Sequence, residues 1–277
     1  MGLSRLRASH RIARRGLALI AVAMLATLGG CATVTPTPDA GGAFVERAVH
    51  VDGADRRYQV FVPAARFRHG RVPVVMFLHG TGERGSDGEK PTKVGLGPYV
   101  RQHMADFPAI VVFAQAPDDR DWMGATAQLA IDELDAASRE FHADPKRTYL
   151  TGLSMGGYGT WEVALMQPQR FAALVPICGA LTPPSDERSL FVTPLAGAAD
   201  PYATVAQALR DVPIWIFHGA KDDLVPLDDD RKTYAALKAA GADARYTEFP
   251  DANHNAWDPA YSQTPELWTW LFAQKRP

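Results

Sequence analysis

Unbroken apolar runs, rather than alternating ones, mark the centre of this chain. Val72-Pro-Val-Val-Met-Phe-Leu78 and Val212-Pro-Ile-Trp-Ile-Phe217 offer no polar position to solvent, and such runs predict strands buried on both faces. Strands are predicted at 45–51, 57–62, 73–78, 109–114, 147–151, 173–177, 212–217 and 244–249. Between them the apolar positions change to helical spacing, at 94–105, 125–142, 155–167, 201–210, 228–240 and 264–274. In the clearest of these, Leu129, Ile131, Leu134, Ala137 and Phe141 fall near one face, as an amphipathic helix requires. Two opening strands followed by strand and helix alternation predict an α/β fold: a mostly parallel, doubly wound, eight-stranded sheet with helices on both faces.

The first thirty residues follow a different pattern. Arg5, Arg7, Arg11, Arg14 and Arg15 precede about twelve apolar residues, Leu17 to Leu28, with no acidic residue among them. That run is shorter than the roughly 18–20 residues a spanning helix needs and reads as an export signal. Leu28-Gly29-Gly30-Cys31 resembles the lipobox of bacterial lipoproteins. The resemblance implies a signal peptide over 1–30, a diacylated Cys31 at the start of the mature chain, and a location in the bacterial cell envelope, held to a membrane by lipid. Ala32 is compatible with sorting to an outer membrane. Residues 31–43, rich in Pro, Thr and Gly and without periodicity, predict a flexible tether, leaving 44–277 as one domain.

Charge narrows the function. Residues 31–277 carry 24 Lys and Arg against 31 Asp and Glu, a mildly acidic body that argues against a nucleic-acid partner, since phosphate binding needs a basic field. The two cysteines are Cys31 and Cys178; with Cys31 lipidated, no disulfide framework exists. Cys178 ends an apolar stretch and reads as a buried, inert thiol.

The chemistry centres on Tyr149-Leu-Thr-Gly-Leu-Ser154-Met-Gly-Gly-Tyr-Gly159, where a strand runs through Gly-x-Ser-x-Gly into a helix. A serine at such a turn is held with its hydroxyl projecting, beside backbone N–H groups at the helix start. An alcohol is a weak nucleophile near neutral pH, so Ser154 needs a base, and the base an orienting acid. His254, in the loop after the last strand, is the candidate base. Asp222, in His218-Gly-Ala-Lys-Asp222-Asp223-Leu-Val-Pro226, is the candidate acid, with Asp223 the alternative. Asp228, Asp229 and Asp230 read as carboxylates at a helix N-terminus, where the dipole favours them. Oxyanion donors are expected at the N–H of Met155 and of Thr81. The loop Gly80-Thr-Gly82-Glu-Arg-Gly85 spells Gly-x-Gly-x-x-Gly, but no helix opens at the third glycine, so a dinucleotide cofactor is not expected. His79 reads as a brace for this loop. The sequence has no His-Glu-x-x-His and no Cys/His cluster, so neither metal nor cofactor is expected.

These segments, with Phe171-Ala-Ala-Leu-Val-Pro-Ile-Cys-Gly179 and His254-Asn-Ala-Trp-Asp-Pro-Ala-Tyr261, resemble the α/β-hydrolase superfamily. Within it, the chain is similar to the phospholipase/carboxylesterase-like bacterial group labelled predicted peptidases, near feruloyl and acetyl-xylan esterases. The resemblance implies a triad of Ser154, Asp222 and His254 and a serine carboxylic-ester hydrolase working through an acyl-enzyme. Residues 179–211 leave room for little or no lid, so short-chain, aryl or carbohydrate esters are the expected substrates, with Gln115, Trp122 and Trp257 near the acyl or alcohol side. A serine peptidase acting on short peptides is the alternative, and a non-catalytic envelope lipoprotein a second.

Overall fold

The computed structural model describes residues 41–277; the expected signal peptide and Cys31 lie outside them. The strands are β1 (Ala43–Val51), β2 (Ala54–Val62), β3 (Val72–Leu78), β4 (Ile110–Phe113), β5 (Ala143–Leu153), β6 (Ala173–Ile177), β7 (Ile214–Gly219) and β8 (Ala244–Phe249). They form one sheet in the order β1-β2-β4-β3-β5-β6-β7-β8. The first two strands run antiparallel, and every pairing from β4 to β8 is parallel. Strand β1 starts at Ala43 and the Gly42 N–H donates to Met104 O at 2.8 Å, so the body begins inside the segment expected as tether.

All seven residues of β3 are buried, as its lack of polar positions requires. Pro73 has no N–H for the ladder, and the β3–β5 register shifts between Val72 and Val74. The helices are α1 (Leu96–Gln102), α2 (Ala125–Glu140), α3 (Met155–Met166), α4 (Pro201–Leu209), α5 (Leu227–Ala239), α6 (Trp257–Ser262) and α7 (Glu266–Ala273). Two apolar clusters, one on each face of the sheet, pack them down. Trp122, Leu134, Trp161 and Leu237 belong to one, and Leu96, Phe107, Tyr261 and Leu271 to the other. The α2 face contains Leu129, Ile131, Leu134 and Ala137, all buried. The short α6 follows the last strand at a place where the apolar spacing predicts no helix. Among the described residues, no helix is long and apolar enough to cross a membrane.

Candidate active site

In a parallel sheet the loops after the strands share one edge, and ligands bind there. The turn after β5 carries Ser154, the loop after β7 carries Asp222, the loop after β8 carries His254, and the turn after β3 carries Thr81.

Ser154 sits at φ 53°, ψ −120° between β5 and α3, a region costly for a residue with a Cβ. Close packing enforces it. A Cβ on Gly156 would lie 2.0 Å from Leu78 O, and one on Gly152 would lie 2.2 Å from Gly156 O, so β3, β5 and α3 meet only because both positions are glycine. The Ser154 N–H donates to Ile177 O at 2.9 Å, tying the turn to β6.

Ser154 Oγ is 2.8 Å from His254 Nε2, and His254 Nδ1 is 2.7 Å from Asp222 Oδ2. A carboxylate only accepts, so Nδ1–H donates to it and Nε2 is left to accept from the serine. The His254 side chain is 15% exposed and that of Asp222 is 0% exposed, whereas Asp223 is exposed and has no place in the line. Asp222 Oδ1 also accepts from the N–H groups of Leu224 (2.9 Å) and Val225 (3.0 Å). Burial alone would raise this carboxyl's pKa. Hydrogen bonds from His218, His254 and the two N–H groups outweigh it and hold Asp222 well below the usual carboxylate range. Thr81 and Met155 are the first residues of their helical segments, so neither N–H has an intrahelical acceptor.

A cleft of about 410 Å³ opens over Ser154. Leu153, Leu190, Leu224, Val225 and Trp257 supply its apolar wall, and Thr81, Glu83, Ser185 and Arg188 its polar one. Trp257 stands edge-on to His254, ring centroids 5.6 Å apart. Burial raises the Glu83 carboxyl's pKa. Arg188 donates to Asp121 Oδ1 at 2.8 Å, an oxygen that also takes a bond from Arg84. One carboxylate thus holds two guanidinium groups.

Two expected cleft residues lie elsewhere. Gln115 is buried and braces the loop after β3: its Oε1 accepts from Gly88 N at 2.6 Å, and its Nε2 donates to Glu83 O at 3.0 Å. Trp122 is 1% exposed and donates from Nε1 to His79 O at 2.9 Å, packed in the core beneath that loop. His79 does brace the turn, as expected. Its Nδ1–H donates to Gly80 O at 2.6 Å and its Nε2 accepts from Ala116 N at 3.0 Å.

His218 is the residue of this site that the sequence pattern does not single out. It is buried at the end of β7, with Nε2 3.1 Å from Asp222 Oδ2 and Nδ1 2.8 Å from Asp230 Oδ2. Its spacing of four from Asp222 is the available signal. Asp229 and Asp230 do start a helix, yet both are buried, and Asp229 accepts from Leu181 N at 2.8 Å. Cys178 is buried at φ 41° beneath the site, and burial pushes its thiol well up. Among the described residues, Cys178, Asp222 and His254 form one group whose ligand atoms lie within 4.8 Å of one another. Two of these already bond each other and the third is held protonated, so the set suits proton transfer better than metal binding. A larger concavity of about 1390 Å³ lies at the opposite end of the sheet, lined by Arg68, Arg139, Arg170 and Arg276. No hydrogen bond joins a nucleophile to a base within it, so size does not mark the reacting site here.

A family model described as "Putative esterase" matches residues 51–264. The chain belongs to this esterase family. Among solved structures it is similar to a thermostable esterase, with a TM-score of 0.69 and 28% identity over 84% of this chain and 63% of that one. It also resembles a ferulic acid esterase, at 0.65 and 18% over 84% of this chain and 98% of that one. An acylaminoacyl peptidase from Pyrococcus horikoshii scores 0.65 at 19% identity, over 86% of this chain and 42% of that one. These likenesses establish the α/β-hydrolase fold. The "Uncharacterized peptidase YuxL" of Bacillus subtilis (strain 168) is 32% identical over 143 residues, which is 46% of this chain and 21% of that protein. The chain spans about a fifth of the length of the curated relatives it matches. Family and fold together place the chain among esterase-family proteins with an α/β-hydrolase fold.

Proposed function

We propose that this protein is a hydrolase, a serine carboxylesterase that works through an acyl-enzyme on short-chain, aryl or carbohydrate esters. The observation that carries the reading is the unbroken hydrogen-bonded line from Ser154 Oγ through His254 to Asp222. In acylation, Ser154 Oγ bonds to the ester carbonyl carbon while its proton passes to His254 Nε2, and Asp222 stabilises the imidazolium. The carbonyl π pair moves to oxygen, where the N–H groups of Thr81 and Met155 receive it. Collapse expels the alcohol, which takes the proton from His254. Water then repeats the sequence and releases the acid.

The cleft's modest size supports small acyl groups. Segment 178–200 crosses its rim without an α-helix, which supports little or no lid. The similarity to a named peptidase over 143 residues keeps amide cleavage as the second reading. Fluorophosphonate labelling lost in Ser154→Ala, with p-nitrophenyl acetate turned over far faster than peptide anilides, is the expected result. Faster anilide cleavage would favour the peptidase, and labelling that persists in Ser154→Ala would remove the serine from its role. We further propose export and lipid attachment at Cys31, read from the sequence; palmitate incorporation that is lost in Cys31→Ser tests it.

A further inference from the structure

Asp222 has two histidine neighbours, and the cycle above uses only one. The same oxygen, Oδ2, that faces His254 Nδ1 at 2.7 Å faces His218 Nε2 at 3.1 Å. Beyond it, His218 Nδ1 meets Asp230 Oδ2 at 2.8 Å, on the first turn of α5. The side chains of His218, Asp222 and Asp230 are all 0% exposed. Five groups thus form one file from the cleft into the core: Ser154, His254, Asp222, His218 and Asp230.

The protons in this file can be counted. His218 Nε2 faces two acceptors, Asp222 Oδ2 and Val225 O, the latter at 3.1 Å, so it carries hydrogen whatever the ring's charge. Nδ1 faces a carboxylate whose other oxygen, Asp230 Oδ1, has no partner, so the ring is that carboxylate's single donor. Burial alone would strip the ring's proton. Hydrogen bonds to both aspartates reverse this, and the ring's pKa is raised to about 10. Burial lifts Asp230 to about 6 against the pull of His218. Two carboxylates facing one ring thus favour its imidazolium form.

Other polar groups around this pair do not displace it. Asp229 raises Asp230 from within α5. Glu248 on β8 feels the charge of His218. The Tyr246 hydroxyl, also on β8, bonds Glu248 at 2.9 Å. Tyr158 on α3 has a buried hydroxyl with no partner, with Asp222, Asp229, Asp230 and Arg188 in its electrostatic surroundings. The Cys178 thiol after β6 is kept neutral by burial.

We propose that His218, fixed by Asp230, is a positioning residue of this protein: it locks Asp222 Oδ2 in place and draws off part of its negative charge, so that His254 is aligned for the proton it takes from Ser154. The inference rests on reading Ser154, His254 and Asp222 as the reacting triad. His218 changes neither bonds nor protonation during the cycle. Its effect falls on His254, because each donor on Asp222 Oδ2 weakens the field that would otherwise favour an imidazolium next door.

The test is the pH profile of kcat/KM for p-nitrophenyl acetate in the full chain and in His218→Asn and His218→Leu. Asparagine keeps a donor toward Asp222 without the charge. We expect it to retain kcat within about tenfold while moving the acid limb upward by about half to one pH unit. Leucine removes both, and kcat should fall about 10- to 100-fold with the same upward movement of the limb. An unmoved acid limb in both variants, whatever the loss of rate, would reduce His218 to packing and overturn the proposal. Nitrogen-15 histidine NMR of the wild-type chain gives an answer that needs no variant: His218 should be an imidazolium at about pH 8, and a neutral ring there would also overturn it. Failure of the triad reading shows separately, as turnover surviving in Ser154→Ala.

Discussion

Two buried histidines close two strands of the same sheet, His79 after β3 and His218 at the end of β7, and their surroundings push their pKa values in opposite directions. Each side chain is shut away from solvent. His79 meets one carbonyl and one N–H, so burial prevails and its pKa falls to about 4. His218 meets two carboxylates and its pKa rises to about 10. Burial is common to both, and the neighbours decide the sign. The result is a division of labour across the cleft. The His79 ring braces the turn that carries Thr81, and the His218 ring stands behind Asp222, which bonds His254.

Removing each ring should break the symmetry most visibly. His218→Leu leaves Asp230 buried without its partner and should cost about 3–5 kcal/mol, whereas His79→Leu loses neutral hydrogen bonds and should cost about 1–3 kcal/mol. Urea titration of the two variants compares them directly.

The pH dependence of stability should separate the two next. The unfolded His79, with its ordinary pKa near 6.5, binds a proton more readily than the folded one at about 4. Its contribution is present above about pH 6.5 and is lost as pH falls toward 4, amounting to about 3 kcal/mol. For His218 the folded value is the higher, so its contribution is present below about pH 6.5 and fades as pH rises toward 10. Asp222, depressed in the fold, adds a loss at still lower pH. Asp230, raised to about 6, gives up its share as pH rises from about 4 to 6. Melting temperature against pH should flatten on the acid side in His79→Asn and on the alkaline side in His218→Asn.

Smaller effects sharpen the picture of the turn. Gln115→Ala removes the bonds to Gly88 N and Glu83 O and should cost about 1–2 kcal/mol, with kcat/KM falling several-fold as the Thr81 turn loosens. Smallest of all, Trp257→Ala should raise KM for aryl esters by a few-fold and leave that for acetate esters nearly unchanged, since only the larger group reaches the ring; steady-state kinetics on both substrates would show it.

Much of this molecule is legible in its amino-acid order. Runs such as Val72 to Leu78 mark the strands, and the succession of Ser154, Asp222 and His254 follows the chemistry a serine needs. What escapes is decided by distant contacts. The pairing of His218 with Asp230 spans twelve residues and leaves no periodic trace, so Asp230 looks like an ordinary helix-start carboxylate. Gln115 and Trp122 sit after a strand that points at the cleft, but nothing local says that their side chains turn inward to hold backbone groups. Trp257 is told apart from them only by the path of the loop after β8.

The segment after β6 is also the most replaceable wall of the cleft. It brings Pro184, Ser185, Arg188 and Leu190 to the cleft. At one end Asp229 holds Leu181 N and Thr182 Oγ1, and at the other Glu162 holds Thr193 N at 2.6 Å. Val192 N closes the base of the loop on Leu181 O at 3.1 Å. A stretch fastened at both feet by buried carboxylates can be swapped in its middle while the scaffold keeps its shape, which makes 183–191 the natural cassette for redirecting this molecule to new compounds.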